Sequence, residues 1–171
     1  MITYHDELIQ GSEEWLAARC GMLTASEMHL ILTPTLKIAN NDKTRAHVYE
    51  MAAQRITGYV EPHYISDDML RGMNDENTAR ELYSAKFDAV QTTGFVVNDG
   101  FGFKLGYSPD GLIGDTGLIE IKSRRQKFQV QTVIEGVPDE YALQVQTALL
   151  VTGRAWVDYI SYSGGMPMTV Q

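Results

Sequence analysis

The chain has 171 residues, 44% apolar and 21% charged, which is enough for a compact core and argues against disorder as the main state. Its 22 acidic and 14 basic side chains leave a net charge of −8, unlike a passive, uniformly basic nucleic-acid binder, yet compatible with a local basic patch beside bound metal ions. No apolar run approaches the roughly 18–20 residues that cross a bilayer, the N-terminus carries no secretion-type apolar stretch, and the single cysteine, Cys20, excludes an intrachain disulfide and a cysteine zinc site, so a cytoplasmic protein is expected.

Ser12 before Glu13 and Glu14 predicts a short helix through EEWLAAR, with a capping side chain and acids in the first turn. Thr24 followed three residues later by Glu27 is a capping box, predicting a helix over about 25–32. Residues 34–42 read as a loop and 44–57 as a helix closed by Gly58. Ser66 caps a longer helix over 67–86, with Met69, Met73, Arg80 and Tyr83 on its inner stripe and Glu76 on the same stripe. The period then changes, and 92–98, 103–107 and 117–122 read as strands separated by Gly and Asn/Asp turns. Pro138-Asp139 opens a helix over about 140–151, apolar nearly all round and so expected against the sheet, and 155–162 alternates as a last strand. After it no closing helix is predicted. No repeat, low-complexity tract or Pro/Ser-rich linker divides the chain, so one domain over 1–171 is expected. Its fold class is α/β (α+β), a central mixed sheet flanked by helices in the order α-β-β-β-α-β.

The chemistry concentrates in Ser108-Pro109-Asp110-Gly111 and Glu120-Ile121-Lys122. If 110–113 and 117–122 form a hairpin, Asp110 and Glu120 meet across it, while Glu120 and Lys122 leave one face of their strand. Two converging carboxylates suit a hard divalent cation such as Mg²⁺ or Mn²⁺, with the Ile121 backbone carbonyl as a further oxygen. The Lys122 ammonium then orients or deprotonates a water, or holds a scissile phosphate. A Pro-Asp-Gly turn and a Glu-x-Lys strand are commonly structural. Here Leu118, Ile119 and Ile121 make the strand too apolar for a wet face, so its charges need a reason.

Glu76 either reaches the same metal site or simply pairs with Arg80 at i,i+4. Gln144, on a face with Tyr141, Val145 and Ala148, either positions water or phosphate beside Lys122 or satisfies backbone. Arg19 with Thr24 and Ser26, at a helix N-terminus, reads as an anion site suited to a terminal phosphate, or as an ordinary capped helix with a surface arginine. Arg124, Arg125 and Lys127, in the one dense basic run, either track a phosphate backbone or form a solvated loop. The four histidines show no ligand-like spacing, His5 and His63 reading as loop residues.

Taken in order, Trp15-x-x-x-Arg19-x-Gly21-x-x-Thr24-Ala25-Ser26, Gly72-x-x-x-Glu76-Asn77-x-Ala79-Arg80, Ser108-Pro109-Asp110-Gly111 with Glu120-x-Lys122, and Gln144-x-Gln146 resemble the bacteriophage lambda exonuclease family, viral-recombinase nucleases of the PD-(D/E)xK superfamily. The resemblance implies a restriction-endonuclease-like core and Mg²⁺- or Mn²⁺-dependent 5′→3′ digestion of double-stranded DNA, with two ions per active site. Such digestion releases 5′ mononucleotides and leaves 3′ single-stranded overhangs. By position Asp110 and Glu120 resemble the metal ligands, Lys122 the catalytic lysine, Glu76 the additional acid and Gln144 the glutamine beside the active site. Arg19 and Ser26 resemble the pair that holds the 5′ phosphate. The resemblance also implies 5′-phosphorylated duplex ends as substrate, a single-strand annealing protein as partner, a homotrimeric ring, and a phage or prophage gene acting in a bacterial cytoplasm. Relatives continue with another strand and a helix, so a C-terminal end truncated relative to the family is expected. The competing expectations are an endonuclease or single-strand nuclease of the same superfamily and a non-catalytic remnant that binds DNA ends.

Overall fold

The computed structural model describes residues 1–62 and 66–171; His63 lies outside the described residues. In chain order the elements are β1 (Ile2–His5), α1 (Glu13–Arg19), β2 (Leu23–Thr24), α2 (Met28–Ile31), α3 (Asp42–Thr57), α4 (Asp67–Lys86), β3 (Val90–Gln91), β4 (Phe95–Asn98), β5 (Leu105–Tyr107), β6 (Gly111–Ile113), β7 (Gly117–Ser123), α5 (Gln126–Glu135), α6 (Ala142–Thr152), β8 (Trp156–Tyr162) and β9 (Thr169–Val170), with 3₁₀ turns at Ala25–Glu27 and Asp139–Tyr141. The fold is mixed α/β, with mixed sheets flanked by helices. Among the described residues no helix is long and apolar enough to cross a membrane.

The chain divides into two compact units. The first comprises Met1–Pro62, Thr93–Ser108 and Asp139–Gly153. Its four-stranded sheet has the order β1-β4-β5-β2, antiparallel except where β2 runs parallel to β5. Helix α6 packs on β4, β5 and the 3₁₀ turn at Ala25–Glu27. The last carbonyls of a helix have no partner within it. Here Tyr4 Oη donates to the Thr152 carbonyl (3.2 Å) and Asn98 Nδ2 to that of Leu150 (3.2 Å), so the sheet satisfies the end of α6.

The second unit comprises the described residues of His63–Thr92, with Pro109–Pro138 and Arg154–Gln171. Its five-stranded sheet has the order β3-β6-β7-β8-β9. The β6–β7 hairpin is antiparallel, whereas β7 and β8 run parallel, as a long crossover between them permits. Alternation along β7 sends Ile119 and Ile121 to one face, where they join Ala79 and Tyr83 of α4, Ile113 and Ile160 in a buried cluster. Each such isoleucine contributes about 1.5–3 kcal/mol by leaving water. The same alternation sends Leu118, Glu120 and Lys122 the other way. Gln129 of α5 is fully buried and donates to the carbonyls of Ser161 (3.0 Å) and Pro167 (2.8 Å), fastening β8 and the β9 segment to the helix.

The caps read at Ser12 and Ser66 form, each accepting from the backbone N–H three residues on. Asn41, read as part of a loop, does the same for α3, which starts at Asp42 rather than at 44. Gly58 and Gly153 close their helices in the left-handed region, with φ of 66° and 67°. Other expectations are corrected. The strands do not form one central sheet: the strand expected over 92–98 shortens to β4, the unanticipated β3 just before it belongs to the other sheet, and 103–107 shortens to β5. The helix expected over 25–32 is a 3₁₀ turn followed by the single turn α2. Met69 and Met73 are 53% and 56% exposed, because α4 turns only Ala79 and Tyr83 fully inward. Helix α6 is buried along Thr147, Ala148, Val151 and Thr152, while Leu150 is exposed. Strands β1 and β9 and helix α5 were not anticipated.

Candidate active site

The anticipated hairpin forms, with Gly111 opposite Ile119, so one further step places Asp110 opposite Glu120. Ile121 N–H donates to Asp110 Oδ2 (2.6 Å), which ties the loop residue to the middle of β7. Glu120 is 2% exposed, and Lys122 Nζ donates to its Oε1 (2.7 Å). From α4, Arg80 pairs with Glu76 and also donates through Nε to the Asp110 carbonyl (2.7 Å). Glu76 therefore makes the i,i+4 pair, and Arg80 links that pair to the Asp110 loop.

Electrostatics mark the cluster as costly. Burial, then repulsion from Glu120 and Glu76, pushes the Asp110 carboxyl well above the usual carboxylate range, against the pull of Lys122 and the Ile121 N–H. Burial likewise raises Glu76, opposed by Arg80 and reinforced by Glu120. A fold that buries mutually repelling carboxylates beside a lysine has assembled the environment in which functional groups are found. Among the described residues, no three His, Cys, Asp or Glu side chains are already gathered as a metal cage. Glu120 is turned onto Lys122, and Glu76 onto Arg80. The donor set is nonetheless all oxygen and anionic, and its repulsion is the kind a hard cation relieves. By donor chemistry, Asp110, Glu120, Glu76 and the Ile121 carbonyl fit Mg²⁺ or Mn²⁺.

The basic run is less open than its composition suggests. Arg124 lies over the Phe128 ring (4.6 Å), as does the Lys127 ammonium (4.7 Å), and Arg125 pairs with Asp68 (2.8 Å).

In the first unit, Arg19, Thr24 and Ser26 are brought together. Arg19 Nη2 donates to Thr24 Oγ1 (3.3 Å), which lies 3.3 Å from Ser26 Oγ. The guanidinium stacks over Trp15, 4.1 Å from the ring centroid, and its burial lowers its pKa, with Glu27 opposing. Trp15 Nε1 in turn donates to the Gly94 carbonyl (3.2 Å) and to Ser108 Oγ (3.0 Å), so the platform beneath Arg19 is fixed. Glu27 accepts from the Thr24 N–H (3.0 Å) and hydroxyl (2.6 Å), completing the predicted cap. Gln144 lines a cavity of about 150 Å³ with Ser26, His29, Glu140 and Tyr141. His29, given no role from sequence, keeps Nδ1 2.8 Å from the Ser26 carbonyl. Its only sequence signal is the i,i+3 spacing from Ser26, which generic histidine searches ignore.

A family model for the YqaJ-like viral recombinase domain matches residues 14–155. Among solved structures, an alkaline exonuclease from Laribacter hongkongensis is 34% identical, with a TM-score of 0.82 over 94% of this chain and 80% of that one. The same enzyme in complex with dAMP matches with a TM-score of 0.81 over 94% and 82%. A phage-related exonuclease from Haemophilus somnus, 15% identical over 82% of this chain and 68% of its own, shares the fold with a TM-score of 0.54. A comparison with curated proteins returned no match.

Proposed function

The chain belongs to the YqaJ-like viral recombinase family, the lambda-exonuclease-like group that includes alkaline exonucleases, and on that footing we propose that it is a metal-dependent 5′→3′ exonuclease of double-stranded DNA. The proposed products are 5′ mononucleotides and a 3′ single-stranded overhang for a partner annealing protein. The carrying observation is the buried cluster of Asp110, Glu120 and Lys122 with Glu76 against it. The match to an exonuclease solved with dAMP, a mononucleotide, supports the substrate class.

In this reading Asp110, Glu120, Glu76 and the Ile121 carbonyl hold the divalent ions, two per site. Bound there, such ions supply Lewis acidity to the attacking and leaving oxygens of a phosphodiester. Lys122 leaves Glu120 to orient the attacking water and to neutralise charge on the scissile phosphate. Arg80 keeps Glu76 and the Asp110 loop in place. Arg19, Thr24 and Ser26 hold the 5′ phosphate, with Arg19 held rigid on Trp15 so that little order is lost on binding. Gln144, in the cavity beside Ser26, positions the terminal nucleotide. Arg124, Arg125 and Lys127 meet the backbone of the substrate. A homotrimer, a PD-(D/E)xK assignment, a single working domain and action in a bacterial cytoplasm complete the proposal on family grounds.

The test compares linear duplex with closed circular duplex, each with Mg²⁺, Mn²⁺ or EDTA. Digestion of the linear form alone, abolished by EDTA, is expected. Nicking or linearisation of the circle would replace the reading with an endonuclease. No digestion of either form by folded protein would leave a DNA-end-binding remnant.

A further inference from the structure

A second set of charges meets where β7 ends and α5 begins. Along α4, Asp68, Arg71 and Asp75 recur at i, i+3 and i+7, so they share one stripe. Asp68 accepts from Arg125 Nη2 through Oδ2 (2.8 Å) and from Arg71 Nη1 through Oδ1 (2.8 Å). One and two turns further, Asp75 lies 3.9 Å from Arg71 Nε and accepts from the Ser123 hydroxyl (2.6 Å). Two guanidiniums and a hydroxyl thus converge on two carboxylates of one helix. A guanidinium fork accepts carboxylate and phosphate with the same geometry. Ser123 and Arg125 follow Lys122 directly, so in extended chain they lie within about 10 Å of it.

We propose that Arg71, Ser123 and Arg125 form a site for a DNA backbone phosphate next to the scissile one, and that Asp68 and Asp75 occupy it in phosphate's place until the substrate displaces them. The inference rests on the nuclease reading and adds to Arg125 of the basic run four residues not singled out from the sequence: Arg71, Ser123, Asp68 and Asp75. Exchange is cheap because the Arg125–Asp68 pair is open to solvent, at 65% and 50% exposure, where ion pairs contribute little. Asp68 is ionised at neutral pH like any exposed carboxylate, and Arg125 draws its pKa further down. The carboxylate therefore remains a competitor for the guanidinium at neutral pH. A phosphate of the duplex brings the counterion release that a tethered carboxylate lacks.

The experiment is a double-mutant cycle read by equilibrium binding of a labelled 5′-phosphorylated duplex in EDTA, across a salt series, with cleavage in Mg²⁺ measured in parallel. Asp68→Asn should tighten binding by about threefold to fivefold. Arg125→Ala and Arg71→Ala should each weaken it and lower the salt slope by about 1. On the Arg125→Ala background the Asp68→Asn gain should shrink to near nothing. Asp67→Asn, the same charge change on the neighbouring residue, should give clearly less gain than Asp68→Asn. An equal gain from Asp67→Asn, or a gain that survives without Arg125, would overturn the proposal. Loss of thermal stability in Arg71→Ala and Arg125→Ala without a change in salt slope would also overturn it, making the cluster a structural clasp. Cleavage by wild type with no cycle energy would sink this site and leave the nuclease reading standing. Absence of cleavage with an intact cycle would do the reverse, and no duplex binding by wild type would sink both.

Discussion

Replacing Asp110 by Asn should make the protein more stable and catalytically inactive. The Asp110 side chain is buried beside Glu120 and Glu76, and Lys122 and the Ile121 N–H offset that only in part. A buried charge in such company costs a fold on the order of 1–4 kcal/mol relative to a neutral group of the same shape. Asn keeps the shape and an oxygen for Ile121, but the hydrogen bond changes from charge-assisted to neutral, a loss of about 1 kcal/mol. The net gain is then about 0–3 kcal/mol at neutral pH, worth up to about 12 °C in melting temperature at this chain length. A carboxyl with a raised folded-state pKa binds its proton more tightly when folded. Wild-type stability therefore falls as pH rises from about 4, the unfolded value, through the raised one. The variant lacks that fall, and Glu76, raised in the same direction, is retained in both proteins. Thermal melts in EDTA from about pH 4 to about pH 8 should show a gap that opens with pH. A variant that melts below wild type throughout, or a gap independent of pH, would refute the electrostatic account of the cluster.

Lys122→Ala should lower turnover at least about 100-fold while divalent-ion binding by calorimetry persists, because the carboxylates remain. Normal turnover would remove the lysine from the chemistry. Arg19→Ala should cut the preference for 5′-phosphate over 5′-hydroxyl ends by about 10- to 100-fold, the worth of a charge-assisted hydrogen bond. Equal loss on both ends, measured as kcat/KM, would point to folding instead. Gly94→Ala would place a Cβ 1.9 Å from the Leu8 carbonyl oxygen. Because that obstacle is backbone, urea unfolding should show a loss of about 2–4 kcal/mol, and a wild-type midpoint would contradict the close approach.

What could be read from sequence was local. Asp110 and Glu120 meet across a hairpin of adjacent segments, so turn chemistry and alternation suffice to join them. The helices whose starts were legible carry caps that bond as expected, at Ser12 and Ser66. The N-cap of helix α5 is Arg125, whose side chain makes no capping bond, so the helix's beginning hides in the basic run. The division into two sheets was not legible, because β1 pairs with β4 across most of the chain and short strands carry no signal of such partners. The exposed Met69 and Met73 follow the apolar stripe of α4 faithfully; periodicity names a face without saying how far along the helix its cover extends. Arg80 was visible as a partner for Glu76, but its hold on the Asp110 carbonyl joins a helix to a loop 30 residues away. No spacing rule anticipates that contact.

The most direct test of the central claim uses a duplex closed by a hairpin at one end, with the open end 5′-phosphorylated and its terminal nucleotide labelled. In Mg²⁺ the label should appear first as a free 5′ mononucleotide, leaving a lengthening 3′ single strand, and Lys122→Ala should release none. Label released as oligonucleotides, or shortening of the DNA from its 3′ end before the label is released, would contradict the account.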